Sequence, residues 1–298
     1  METIRALQTF APALNDLMFA ITSLGSERAY IVLLLISYLA IDARVGRYLG
    51  VALLSSFYLN FMLKGIIDTP RPFRLEPGLS LGEVYDATGI GAGFPSGHAQ
   101  ASTTFWGLAA LYVRKSWFWA LAVLLVGLIS VSRLYFALHL PIDVIGGALI
   151  GIVFLALAYR VFRWTEGRTF SQGVILVLGI AVPFVVHLSV PHFFPHLTFA
   201  ESDLLMGGLA AFLTGPTLYP YRVPGALWRR VLLAVLGIVL VFAFLLGSSL
   251  LLPEAVKRNA VVGFLRYLTL GYMGVVVAPW LGRQLRLVTR NAAAQAHP

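Results

Sequence analysis

Residues 117–162 read WFWALAVLLVGLISVSRLYFALHLPIDVIGGALIGIVFLALAYRVF. Two apolar runs, 117–132 and 140–162, meet at a joint that carries Arg133, His139, Pro141 and Asp143. Each run approaches or exceeds the roughly 20 residues that take a helix across a bilayer. Proline is tolerated in the first turn of a helix, so Pro141 marks where the second run begins. The stretch therefore predicts a helical hairpin in a membrane, with its polar residues gathered at one end.

Working outward, similar runs lie near 28–42, 48–67, 97–113, 172–190, 203–219, 231–252 and 260–281. Hydrophobic residues make up 59% of the 298-residue chain and charged residues 12%, where a soluble domain carries about 25% charged. Mean hydropathy is +0.84. This balance excludes a disordered chain, a collagen, a coiled coil and a cytosolic enzyme. Residues 3–24 are apolar with a helical period but contain Pro12 and Asp16, which predicts an amphipathic helix lying in the interface. The expected fold is all-α: a polytopic helical membrane protein with about nine transmembrane helices plus that N-terminal interfacial helix.

The polar loop 163–171 (RWTEGRTFS) divides the chain into a core, 1–165, and a C-terminal extension of about four helices, 166–298. Absence of cysteine excludes disulfides, thiol chemistry and Cys-bound zinc. The N-terminus METIRALQTFAPALNDL has no basic region followed by an apolar core, so no cleaved secretory signal is expected.

Three polar clusters precede residue 165, all at one membrane face. Lys64, at the end of the second run, is followed after six intervening residues by Arg71-Pro72. Lysine at a span end often only snorkels to the interface. Pro95-Ser96-Gly97-His98 precedes the third run. There Ser96 reads as an N-cap, Gly97 permits close backbone approach, and free helix N–H groups favour an anion. Ser132-Arg133, His139 and Asp143 form the third, with the carboxylate one helical turn from the imidazole it can orient. A carboxylate this close to an apolar span is costly and so suggests a function. Together, three cations, a helix N-terminus, two histidines and a carboxylate suit a dianionic phosphoryl group.

These residues match the pattern KxxxxxxRP, PSGH, SRxxxxxHxxxD at all eleven specified positions. Over about residues 25–160 the chain resembles the type 2 phosphatidic acid phosphatase (PAP2) superfamily, in its integral membrane branch. The resemblance implies a PAP2-type helical core in which His139 attacks phosphorus and forms a phosphohistidine. It implies that Asp143 orients His139, and that His98 protonates the leaving oxygen and then activates water. Lys64, Arg71 and Arg133, with Ser96 and the Gly97 amide, would hold the phosphoryl oxygens. No metal or other cofactor is implied.

The expected substrate is a lipid phosphate or diphosphate taken from the outer leaflet. Polyprenyl diphosphate, phosphatidic acid, phosphatidylglycerophosphate, lipid A and sphingoid-base phosphate stay open. So do hydrolysis of a soluble sugar phosphate, as in the glucose-6-phosphatase branch, and phosphotransfer to an alcohol. A non-catalytic transporter or scaffold on the same fold is disfavoured by the complete motif set.

Weaker features lie further along. His187, His192 and His196, interleaved with proline and phenylalanine, read as an interfacial belt or a lid before they read as a metal site. Arg266 is expected to snorkel outward, or to pair with Glu201 or Asp203. Gly147 and Gly151 predict close helix packing.

The chain carries 22 Lys+Arg against 13 Asp+Glu, a net +9. On the face away from the motifs stand 13 basic residues, from Arg44 and Arg47 to Arg283, Arg286 and Arg290, with only Asp42 and Glu166. The positive-inside rule makes that face cytoplasmic. This predicts a bacterial inner (plasma) membrane protein with a periplasmic or extracellular active site and a cytoplasmic C-terminus. The excess charge is then an orientation signal, and no nucleic acid partner is expected.

Overall fold

The computed structural model describes residues 1–81, 91–194, 197, 199–223 and 225–288. The architecture is all-α, with no strand among the described residues. Six helical segments are long and apolar enough to cross a membrane: Ala43–Leu75, Ser116–Tyr135, Pro141–Thr165, Gln172–Phe193, Leu227–Leu251 and Ala260–Gln284. A seventh arises if Asn15–Ser23 and Glu27–Ile41, bent by 51°, count as one broken span.

The remaining two of the nine expected runs are also helices, but of a different kind. Gly97–Val113 has 17 residues and buries Gln100, Ser102, Thr103 and Thr104. At 1.5 Å per residue it falls short of the ~30 Å hydrocarbon thickness. Phe199–Leu218 begins with Glu201 and Asp203 and contains Pro216. Both bury half or more of their residues, so neither needs a wholly apolar exterior.

The expected single N-terminal helix is broken. Helix α1 (Glu2–Gln8) and α2 (Asn15–Ser23) are separated by turns around Pro12. Proline lacks an N–H and clashes with the preceding helical turn, which accounts for the interruption.

Two compact units share the chain. The first contains residues 1–30 and 56–165; the second contains residues 31–55 together with those from Glu166 onward. In the first unit α3 (Glu27–Ile36) begins, and the later part of α4 (Ala43–Ile67) leads to the one-turn α5 (Pro72–Leu75). There follow α6 (Gly97–Val113), α7 (Ser116–Tyr135) and α8 (Pro141–Thr165).

Helix α8 crosses α6 at two glycines. A Cβ at Gly147 would stand 2.5 Å from the Ser96 carbonyl oxygen, and one at Gly151 would stand 2.8 Å from that of Gln100. On α8, Ile142, Ile145, Leu149, Ile152, Val153 and Leu157 are exposed. An apolar surface of this kind is what lipid requires. Gly147→Val should force the helices apart and cost about 2–3 kcal/mol, read as a lowered melting temperature in detergent; an unchanged melting temperature would refute the close crossing.

In the second unit, α9 (Gln172–Phe193), α10 (Phe199–Leu218), α11 (Leu227–Leu251), the one-turn α12 (Glu254–Lys257) and α13 (Ala260–Tyr272) pack together. A π-helical turn, Met273–Val277, joins α13 to α14 (Ala278–Gln284). Arg266 is held by the last turn of α11. Its Nε and Nη2 donate to Ser248 Oγ at 2.8 Å and Ser249 Oγ at 2.6 Å on α11.

Candidate active site

Each of the three polar clusters is set by a helix terminus in the first unit. Lys64 lies in the last turn of α4. Its Nζ donates to the Ala92 carbonyl at 2.8 Å. Arg71 caps α5 and is only 2% exposed. Its Nε donates to the Gly91 carbonyl at 3.0 Å and its Nη1 to the Leu138 carbonyl at 3.1 Å. The first cluster is thus bonded to the approach to the second and to the residue before His139.

Ser96 is the N-cap of α6, and its Oγ accepts from the Ala99 N–H at 3.5 Å, a long capping contact. Its own N–H donates to the Asp143 carbonyl at 2.9 Å, which ties the second cluster to the third. Gly97 opens the helix, and a Cβ there would stand 3.1 Å from Asn60 Oδ1. His98 follows in the first turn. Its Nε2 is buried and has no hydrogen-bond partner among the described residues.

The third cluster depends on how α7 ends. Ala137 adopts a left-handed φ of 53°, and the Leu138 N–H donates to the Arg133 carbonyl at 3.1 Å. This is a Schellman-type ending, with alanine where glycine is usual. It turns the chain so that His139, 2% exposed, lies within the field of Arg133, 1% exposed. Arg133 Nη1 donates to Thr22 Oγ1 at 2.9 Å.

Asp143 does two jobs. Its Oδ2 accepts from the Leu140 N–H at 2.8 Å, the carboxylate half of a capping box at the start of α8. The same oxygen lies 3.5 Å from His139 Nδ1. That separation is at the edge of hydrogen-bond range, and such contacts commonly tighten when ligand binds. Nε2 is the ring nitrogen left on the far side. Burial, reinforced by Arg133, Arg71, Lys64 and His98, holds the His139 pKa well below its ordinary value. The imidazole is therefore neutral at pH 7, the form that can act as a nucleophile.

All eight singled-out residues thus belong to one unit and, through these bonds and fields, one neighbourhood. Several supporting residues carry no motif. Asn60 Nδ2 donates to the Pro95 carbonyl at 3.2 Å and to Gln100 Oε1 at 2.9 Å. Gln100 Nε2 donates to the Ser56 carbonyl at 2.8 Å. Thr69 accepts from the Phe94 N–H through Oγ1 at 2.7 Å and from the Gly93 N–H through its carbonyl at 2.8 Å. Asn60 and Gln100 were visible as amides inside apolar runs, a signal of function or buried networking; Thr69 left no such mark.

The other histidines are arranged differently. His187 is buried on α9, with Nδ1 2.9 Å from Ser202 Oγ. Its Nε2 lies 3.1 Å from both the Ala260 carbonyl and Asp203 Oδ1. It joins α9, α10 and α13 instead of lining a surface loop. The His192 ring stacks edge-on with Phe193, and His196 lies outside the described residues. Among the described residues no three His, Cys, Asp or Glu side chains are grouped to hold a metal ion.

Comparison with known proteins gives the family. The model described as PAP2 superfamily matches residues 46–166, and that of the PAP2 superfamily phosphatase transmembrane extension matches residues 199–291. The chain belongs to the PAP2 superfamily. It is an integral membrane member, carrying both the superfamily domain and the transmembrane extension.

Mouse sphingosine-1-phosphate phosphatase 2 is 31% identical over 175 residues, 57% of this chain and 48% of that protein. Undecaprenyl-diphosphatase of Sulfolobus acidocaldarius is 31% identical over 142 residues, 46% of this chain and 66% of that protein. Lipid phosphate phosphatase delta of Arabidopsis thaliana is 26% identical over 160 residues, 50% of this chain and 38% of that protein. The chain spans about half the length of the sphingosine-1-phosphate phosphatase it matches. No solved structure matches it.

Proposed function

We propose that this PAP2 member hydrolyses a lipid phosphate or lipid diphosphate through a phosphohistidine on His139, without a metal ion. The observation that carries this reading is the bonding between clusters: Arg71 to the Leu138 carbonyl, Ser96 to the Asp143 carbonyl and Lys64 to the Ala92 carbonyl. Those bonds bring a neutral imidazole, an orienting carboxylate, a second histidine and three cations together. Relatives named as phosphatases of sphingosine 1-phosphate and undecaprenyl diphosphate support a phosphorylated lipid as substrate.

In this mechanism the bound phosphoryl anion offsets the neighbouring cations and lets His98 carry a proton; His139 Nε2 attacks phosphorus, and the bond to the leaving oxygen breaks as that oxygen takes this proton from His98. His98 then accepts a proton from water, whose oxygen attacks phosphorus and breaks the P–N bond. Asp143 steadies the imidazole. Lys64, Arg71, Arg133 and the N–H groups at the start of α6 stabilise the charge that gathers on the equatorial oxygens. Residues 1–165 form the catalytic core, and the helices after 165 form an extension.

The charge asymmetry supports an active site on the non-cytoplasmic face, with substrate entering sideways from the outer leaflet. Purified protein should release inorganic phosphate from dispersed lipid phosphates in excess chelator, and vanadate should inhibit it. A panel of lipid diphosphate, lipid monophosphate and glucose 6-phosphate reads the substrate class. Loss of activity in chelator, or turnover of glucose 6-phosphate alone, would contradict the proposal.

A further inference from the structure

The N-terminal segment lies outside the part of the chain that matches the superfamily domain, residues 46–166. It nevertheless packs on the turns that present the phosphate-binding and catalytic residues. Ile4, fully buried, joins a cluster with Leu79 and Ala137. Leu7, Leu14 and Met18 pack against Phe73, Tyr135, Phe136 and Leu138. Gln8 Nε2 donates to the Tyr135 carbonyl at 2.8 Å, and Tyr135 Oη donates to Asn15 Oδ1 at 2.6 Å.

Two contacts reach the site itself. Thr22, on α2, is 3% exposed, and its Oγ1 accepts from Arg133 Nη1 at 2.9 Å. A Cβ at Gly25 would stand 2.8 Å from His98 Cδ2 and 2.8 Å from Ile129 Cγ2, so the backbone at this point lies against the His98 ring.

We infer that residues 1–25 form a positioning wall of the active site, in which Thr22 sets the plane of the Arg133 guanidinium and Gly25 sets the place of the His98 ring. The role assigned to Arg133 rests on the proposed phosphoryl chemistry; the geometry does not. A guanidinium is a rigid fork whose usefulness to a phosphoryl group depends on its plane. An acceptor fixed on one N–H leaves that plane set before ligand arrives, and a misplacement of about 1 Å can cost 10²-fold in rate. Alanine at residue 25 must push the His98 ring or the Ile129 side chain away.

The test uses the full-length chain in detergent with orthovanadate and a dispersed lipid monophosphate as probes. Vanadate stabilisation of the protein against heating reads the anion site without requiring turnover. Thr22→Val keeps the shape of the side chain and removes the hydroxyl. It should weaken vanadate binding and lower kcat by about 10-fold each, with KM and the ligand-free melting temperature little changed. Thr22→Ser should restore both to within about 2-fold.

In an Arg133→Ala background, Thr22→Val should have no further effect, because Thr22 acts through Arg133. Gly25→Ala should lower kcat more for an alkyl than for an aryl leaving group, since it disturbs the proton donor. Vanadate binding and kcat unchanged in Thr22→Val, or equal losses in Thr22→Val and Thr22→Ser, would overturn the inference. A wild-type protein that binds vanadate yet hydrolyses no lipid phosphate would sink the phosphatase reading alone and leave the Thr22 comparison to be read from binding. A wild-type protein that does not bind vanadate would overturn both.

Discussion

His139→Ala should lower phosphate release from a lipid phosphate by about 10⁴-fold or more, while the protein still folds. Removing a nucleophile that acts in concert with its base and orienting group costs as much as removing the whole set. The surroundings of His139 argue that the loss would be chemical. Asp143 keeps its bond to the Leu140 N–H, so the start of α8 stays capped. Arg71 keeps its bond to the Leu138 carbonyl, so the turn before residue 139 stays tied. Phosphate release and thermal unfolding measured on the same preparation separate the two effects. Activity within tenfold of wild type would place the nucleophile elsewhere.

The second large effect belongs to His98. Its buried Nε2 has no partner among the described residues, so it is available to a reacting oxygen. His98→Asn should slow hydrolysis of alkyl phosphates by about 10²–10⁴-fold, the usual worth of a positioned acid–base group. The loss should depend on the leaving group. An aryl phosphate needs little protonation to depart, so the variant should give a rapid burst of phenol followed by slow turnover as the second step limits. An equal loss for alkyl and aryl substrates, with no burst, would remove His98 from both proton transfers.

Much of this was legible in the sequence because the three clusters are read locally. Lys64, Ser96 and Asp143 each stand at a helix terminus, where a polar residue beside an apolar run is conspicuous. Their convergence follows from the helix termini they occupy meeting at one end of the helices that carry them. The helix count was less legible. Gly97–Val113 is apolar by composition yet short and lined with buried hydroxyls and an amide. Its burial depends on Ser56, Asn60 and the glycines of α8, which no single-helix pattern contains.

The N-terminal segment misled for a related reason. Pro12 signalled a break, but the amphipathic period dominated the reading of residues 3–24 as one interfacial helix. Thr22 and Gly25 carry no mark in the sequence, because a threonine and a glycine at a helix end are ordinary; only their distances to Arg133 and His98 give them meaning. The two serines that hold Arg266 lie 17 and 18 residues away on another helix, which no single-helix pattern contains.

The most direct test of the central claim is transfer of the phosphoryl group to the protein. His98→Asn should be mixed with an aryl phosphate labelled in its phosphate, whose leaving group departs without protonation, and quenched in alkali, where a P–N bond survives. The account predicts a base-stable, acid-labile label on His139 that water slowly discharges and that is absent from the His98→Asn/His139→Ala double variant. Continued turnover with no covalent label, or a label on any other residue, would contradict it.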